Sequence, residues 1–145
     1  MSNDVDVMTG LAQLGSDHGL WTYNPAGYND SDTGVFFKRM PDKPDRCAVI
    51  TAWTIAGLPD GPLDQITVQI DYRGLPDNET DVDVLGGNAF DFLHGREDFP
   101  LGAVHVIQML QRTSAPMGLD ESNRWTRSDR YVLDVDVPPT ANRPL

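Results

Sequence analysis

Apolar and polar positions alternate along this chain with two different periods, and the period marks each element. Val7, Leu11 and Leu14 recur at three- to four-residue spacing, with Met8 and Ala12 beside them. That is the spacing of a helix with one buried face. Asp4 and Asp6 suit its positive end, and Gly19 is a natural stop. Trp21 to Asp32 is rich in Asn, Asp, Gly and Pro and reads as a loop. Gly34 to Lys38 reads as a first strand. Pro41-Asp42-Lys43-Pro44-Asp45 breaks it, because proline has no N–H to give to a ladder.

Cys47 to Ile55 is a second strand, β-branched and apolar on both faces as a central strand should be. Pro59-Asp60-Gly61-Pro62 is a turn. Ile66, Val68, Ile70 and Tyr72 alternate with Thr67, Gln69, Asp71 and Arg73, which predicts a half-buried third strand. A second helix is expected over residues 77–94. Asp77 or Asn78 can cap it, Glu79, Asp81 and Asp83 load its first turns with negative charge, and Gly95 ends it. Val82, Leu85, Ala89, Phe92 and Leu93 fall on one side of it. Gly86 and Gly87 each cost about 1 kcal/mol relative to alanine unless close packing offsets that cost.

Val104 to Leu110 predicts a fourth strand. Tyr131, Leu133, Val135 and Val137 mark a fifth, and Pro138 and Pro139 stop it. Ser114 to Arg130, between them, reads as one long polar loop, a size that usually serves a function in a compact domain. The expected architecture is α+β, in the order α-β-β-β-α-β-β. A mostly antiparallel sheet of about five strands carries both helices on one face and leaves the other face polar and free. Residues 1–138 are expected to form a single domain, with 139–145 a short flexible tail.

Charge sharpens this picture. There are 22 acids against 11 bases, and residues 1–95 hold 15 of the acids but only 5 of the bases. Residues 96–145 are nearly balanced, with 7 acids and 6 bases. Such a field disfavours open binding to nucleic acid or anionic membrane, and its asymmetry suits copies that meet head to tail. No apolar run is long enough to span a bilayer. Met1-Ser2-Asn3-Asp4 lacks the basic and apolar regions of a secretory signal, and the one cysteine, Cys47, excludes an internal disulfide. Folding in a reducing cytoplasm is expected.

Candidate chemistry is sparse. His18, His94 and His105 lack the spacing of a helical zinc motif. Asn29-Asp30-Ser31-Asp32-Thr33-Gly34 has a calcium-loop flavour, but its glycine arrives one position early and no closing Glu follows. No nucleophile elbow, phosphate loop or dinucleotide fingerprint occurs. The sequence implies no cofactor, no metal and no enzyme activity.

Several stretches carry a likeness that spans nearly the whole chain in order. They are Gly19-Leu20-Trp21 with Tyr23, Pro41 to Arg46 leading into Ala48-Val49-Ile50-Thr51, and Val68 to Gly74. Phe92-Leu93-His94-Gly95, Pro116-Met117-Gly118-Leu119-Asp120, Arg124, Ser128 and Tyr131 complete the set. With these motifs the chain resembles the tail terminator proteins of long-tailed bacteriophages. The resemblance implies an α/β domain that forms a six-fold ring on the head-proximal end of the tail tube. Such a ring stops tube growth and offers a docking surface to the head connector, with genomic DNA only passing through. The partners implied are other copies of the chain, the tail tube protein and a connector or neck protein. The rival readings are a head–tail joining or head-completion protein and, from a different class, a small hydrolase or ligand-binding domain.

Arg124, Arg127 and Arg130 recur every three residues beside Trp125, with Asp120 upstream. Arg and Trp are enriched at interface hot spots. These residues are expected to meet the acidic helix start of a neighbouring subunit, around Glu79, Asp81 and Asp83.

Overall fold

The structure, a computed structural model, describes residues 2–55 and 64–141. Its elements are α1 (Asn3–His18), β1 (Gly34–Phe37), β2 (Cys47–Ile55), β3 (Asp64–Arg73), α2 (Asp81–Leu93), β4 (Arg96–Leu101), β5 (Val104–Leu119) and β6 (Trp125–Asp136). The turn expected at Pro59–Pro62 lies outside the described residues, and the expected tail is described only as far as Ala141.

One sheet holds all six strands in the order β1-β2-β3-β6-β5-β4. Every pairing is antiparallel except β1 with β2. The α+β class and the mainly antiparallel sheet expected from the sequence are therefore found. On one face lie Ala48, Ile50 and Ala52 of β2 with Ile66, Val68, Ile70 and Tyr72 of β3. Tyr131, Leu133 and Val135 of β6, Val106 and Met109 of β5, and Phe99 and Leu101 of β4 continue the same layer. Both helices bury their apolar sides against it. α1 contributes Val7, Met8, Leu11 and Ala12, and α2 contributes Val82, Leu85, Ala89 and Leu93. Among the described residues no helix covers the opposite face.

Local chemistry sets the helix ends. Ser2 caps α1 by accepting from the Val5 N–H at 3.3 Å, and Gly19 closes it at a φ of +87°. Gly15 is required by packing, since a Cβ there would lie 2.3 Å from the Trp21 ring. That ring's Nε1 donates to the Ala12 carbonyl at 2.9 Å, which ties the loop after α1 to the helix.

Three features differ from the sequence expectation. First, α2 starts at Asp81, not at residue 77. Asp77 sits at a φ of +57° and donates its N–H to the Asn123 carbonyl, so it belongs to a tertiary turn. Thr80 takes the N-cap position without a side-chain bond. Second, Arg96–Leu101 is a strand that its charges and Pro100 conceal. Third, Ser114–Arg130 is not a loop. β5 runs on to Leu119 and β6 begins at Trp125, so the segment is a long hairpin closed by a tight turn.

Candidate functional site

The hairpin ends in a turn that Asp120 organises. Its Oδ1 accepts from the backbone N–H groups of Ser122 and Arg124, both at 2.9 Å, and its Oδ2 accepts from Arg124 Nε at 2.8 Å. Asn123 takes a φ of +59°, which its short amide side chain tolerates. Burial alone would raise the Asp120 carboxyl, but the Arg124 and Ser122 bonds outweigh it and hold the group below the usual carboxylate range.

Arg124 then reaches from the turn to the β1–β2 connection. Its Nη1 donates to the Asp42 carbonyl at 2.6 Å and to Asp45 Oδ1 at 3.0 Å. Only 5% of the residue is exposed. Lys43 first, and Arg124 second, hold Asp45 below the usual carboxylate range. Arg73, at the end of β3 and 3% exposed, fills the same connection from the other side. It donates to the carbonyls of Pro41 (2.7 Å), Pro44 (2.8 Å), Asp45 (2.7 Å) and Asp42 (3.3 Å).

This cradle has a topological reason. Parallel neighbours usually need a crossover of about a dozen residues or more, yet β1 and β2 are joined by residues 38–46 alone. So short a return turns its carbonyls inward, where backbone acceptors must find donors. Two planar guanidinium groups supply them, Arg73 from the end of β3 and Arg124 from the β5–β6 turn. The Pro-Asp-Lys-Pro-Asp motif is thus a collar around two arginines. Composition alone makes the motif a turn, and Arg73 reads only as the last polar position of an alternating strand.

The remaining charges expected at an interface are also placed. Arg127 lies under α2, pairing with the fully buried Asp129 at 2.9 Å and with Asp83 at 3.3 Å. The Asp129 bond first, and then Asp83, raise its guanidinium against the effect of burial. Asp81 pairs with Arg46 at 3.0 Å and accepts from the Leu75 N–H. Trp125 is half-buried and packs on the core. Glu79 and Arg130 are exposed, and Arg130 stands over the Trp53 ring while donating to Gln69. Arg124, Asp120, Asp81 and Arg127 thus have ion-pair partners within their own chain.

Two open surfaces stand out among the described residues. One is the sheet face away from the helices, where register brings together Thr51, Gln69 and Arg130, and beside them Trp53, Thr67 and Val132. Asp71 and Asp134 fall on the same face. The other is the hairpin end. Beyond Met109 the outer edge of β5 has no β4 partner, and Met117 and Leu119 are 65% and 51% exposed. A groove beside Met117 is lined by Met40, Val49, Gln69 and Asp71. Bulges at Gln111/Thr113 and Pro116/Gly118, with Pro116 itself, interrupt the free edge. Such devices block indiscriminate strand pairing and leave side chains as the means of contact.

The histidines, the Asp-rich loop and the cysteine have local roles. Asp32 accepts from the Asn29 N–H, an ordinary turn. His18 stacks on Phe92 at 3.8 Å, and His94 Nδ1 accepts from the Gln111 N–H. Burial pushes the Cys47 thiol up to about 11. Among the described residues no three His, Cys, Asp or Glu side chains gather as metal ligands, and no helix is long and apolar enough to cross a membrane.

The described residues thus form a small α+β unit with one sheet face free of helices and a long hairpin latched at its turn by Arg124. The sequence matches the family described as Bacteriophage tail terminator protein over residues 9–137, and the chain belongs to that family. The match runs from within α1 to just past β6, so the whole sheet and the collar lie inside it. The molecule is therefore a structural protein of a phage virion. No match was found among curated proteins.

Proposed function

We propose that copies of this chain form a ring, six-fold in the form we favour, that caps the head-proximal end of the tail tube. The ring binds the last tube ring, presents a face that accepts no further tube subunit, and docks the head connector. The observation that carries this reading is the family match across the whole domain. The geometry supports it with a long hairpin that holds Met117 and Leu119 in solvent and a free edge interrupted by bulges. Between copies, Arg130 meets the acidic start of α2 through Glu79 and the exposed side of Asp83, while Arg124, Asp120 and Trp125 fix the shape of the arm. Assembly takes place in the host cytoplasm, and the molecule acts by contact and not by turnover.

Mixing the purified chain with tail tubes and imaging them by electron microscopy tests this reading. Extra density at one end of each tube is expected. Met117→Asp combined with Leu119→Asp, at positions outside the core, should fold normally and leave the ends bare. Density along the tube walls, or capping unaffected by the double variant, would contradict the proposed contact.

A further inference from the structure

One arginine of this acidic chain is held in place without a counter-ion. Arg96 opens β4, and its guanidinium carbon lies 4.6 Å from the centre of the Phe92 ring and 5.1 Å from that of Phe99. Phe99 is buried and Phe92 packs on the core, so the core holds both rings. His18 stacks on Phe92 as well, at 3.8 Å. Arg46, Arg124 and Arg127 each meet a carboxylate of their own chain, and Arg73 meets backbone carbonyls. Among the described residues the Arg96 guanidinium meets only the two rings. The acids next to it turn elsewhere, Glu97 to Gln108 and Asp98 to His105. Its Nε is enclosed with no hydrogen-bond partner, although the residue as a whole is partly exposed.

Contact with aromatic faces holds a guanidinium without satisfying its N–H donors. An enclosed donor without an acceptor calls for a reason. Here the two rings fix the plane of the fork, so little side-chain freedom is left to lose when a partner binds. With Nε closed off, an incoming group meets the fork end-on, at the two Nη nitrogens. The planar match for that end is a pair of carboxylate or phosphate oxygens. Charge decides between them. A chain of net charge −11 repels nucleic-acid phosphate, whereas residues 1–95 of every copy carry 15 acids against 5 bases. We propose that Arg96 is a preformed carboxylate clamp that takes, end-on, an aspartate or glutamate from residues 1–95 of the adjacent copy. The proposal rests on the ring reading and adds a second contact to it, on the helix side of the sheet, whereas Arg130 lies on the open face.

Electron microscopy of tail tubes titrated with the full chain tests the clamp. Wild type, Arg96→Lys and Arg96→Met are compared at one salt concentration. Bare tube ends with the wild type would remove the ring reading, and the clamp with it. Given wild-type capping, Arg96→Met keeps the stem against the rings and should need about ten-fold more protein, or more, to cap half of the ends. Arg96→Lys keeps the charge without the fork and should fall between the two. Capping by Arg96→Met at the wild-type concentration would overturn the clamp alone. In the density of the wild-type cap, a carboxylate from the adjacent copy is expected within hydrogen-bonding distance of both Arg96 Nη atoms. A phosphate there, a carboxylate from the tube protein, or open solvent would overturn the proposal, and this density decides if a variant does not fold.

Discussion

Arg124 and Arg73 do what apolar side chains cannot: they satisfy inward-facing carbonyls of a connection too short to pack by itself. Replacing Arg124 by methionine keeps the stem and removes the donors. The loss should be about 2–3 kcal/mol, at the lower end for a broken buried pair because its carboxylates keep some solvent. Urea unfolding at neutral pH measures it. The same pairing sets a pH dependence. Asp45 and Asp120 titrate lower in the folded chain than in the unfolded one. Their contribution is therefore complete above the unfolded carboxylate value of about 4 and disappears as pH falls through the folded values. Stability should drop on acidification below about pH 4, and Arg124→Met should lose less over that interval than the wild type. Equal acid losses in both chains would show that the collar carries no such linkage.

The two central glycines of α2 give a sharp contrast between neighbours. A Cβ at Gly86 would lie 2.7 Å from the Arg127 guanidinium, whereas one at Gly87 meets nothing within 4 Å. Gly87→Ala should stabilise the chain by up to about 1 kcal/mol through helix propensity. Gly86→Ala should destabilise it by about 1–3 kcal/mol, because Arg127 must move off the buried Asp129. Thermal melts of the two variants should shift in opposite directions. Elements that bury one face at a clean period are legible in the sequence: α1, β2, β3 and the inner half of β6 all lie where alternation or helical spacing puts them. The far half of the hairpin is not, because its residues from Arg112 to Met117 are exposed and two bulges break the period of two. β4 is hidden in the same way, with only Phe99 and Leu101 reaching the core between charges and a proline. The charges near the turn stand out in the sequence, but spacing cannot reveal that Arg124 finds Asp42 and Asp45, remote along the chain. Nor can it show that Asp83 is met from within the chain.

Taken whole, the molecule is a tail terminator family member with one long hairpin whose turn is tied to the β1–β2 connection by Arg124. If copies associate through Arg130 and the acidic start of α2, Arg130→Glu should weaken assembly and Glu79→Arg in the same chain should partly restore it. Both positions are exposed, so the folded monomer should be unaffected. Sedimentation of the mixtures with tail tubes at low and high salt reads this directly, with the wild-type complex weakening as salt rises. Control of tube length and of joining is tested most directly by electron microscopy of particles assembled without this chain. Tubes of uncontrolled length, or finished tails that cannot join heads, are the predicted result. Normal virions with tails of uniform length would contradict the account.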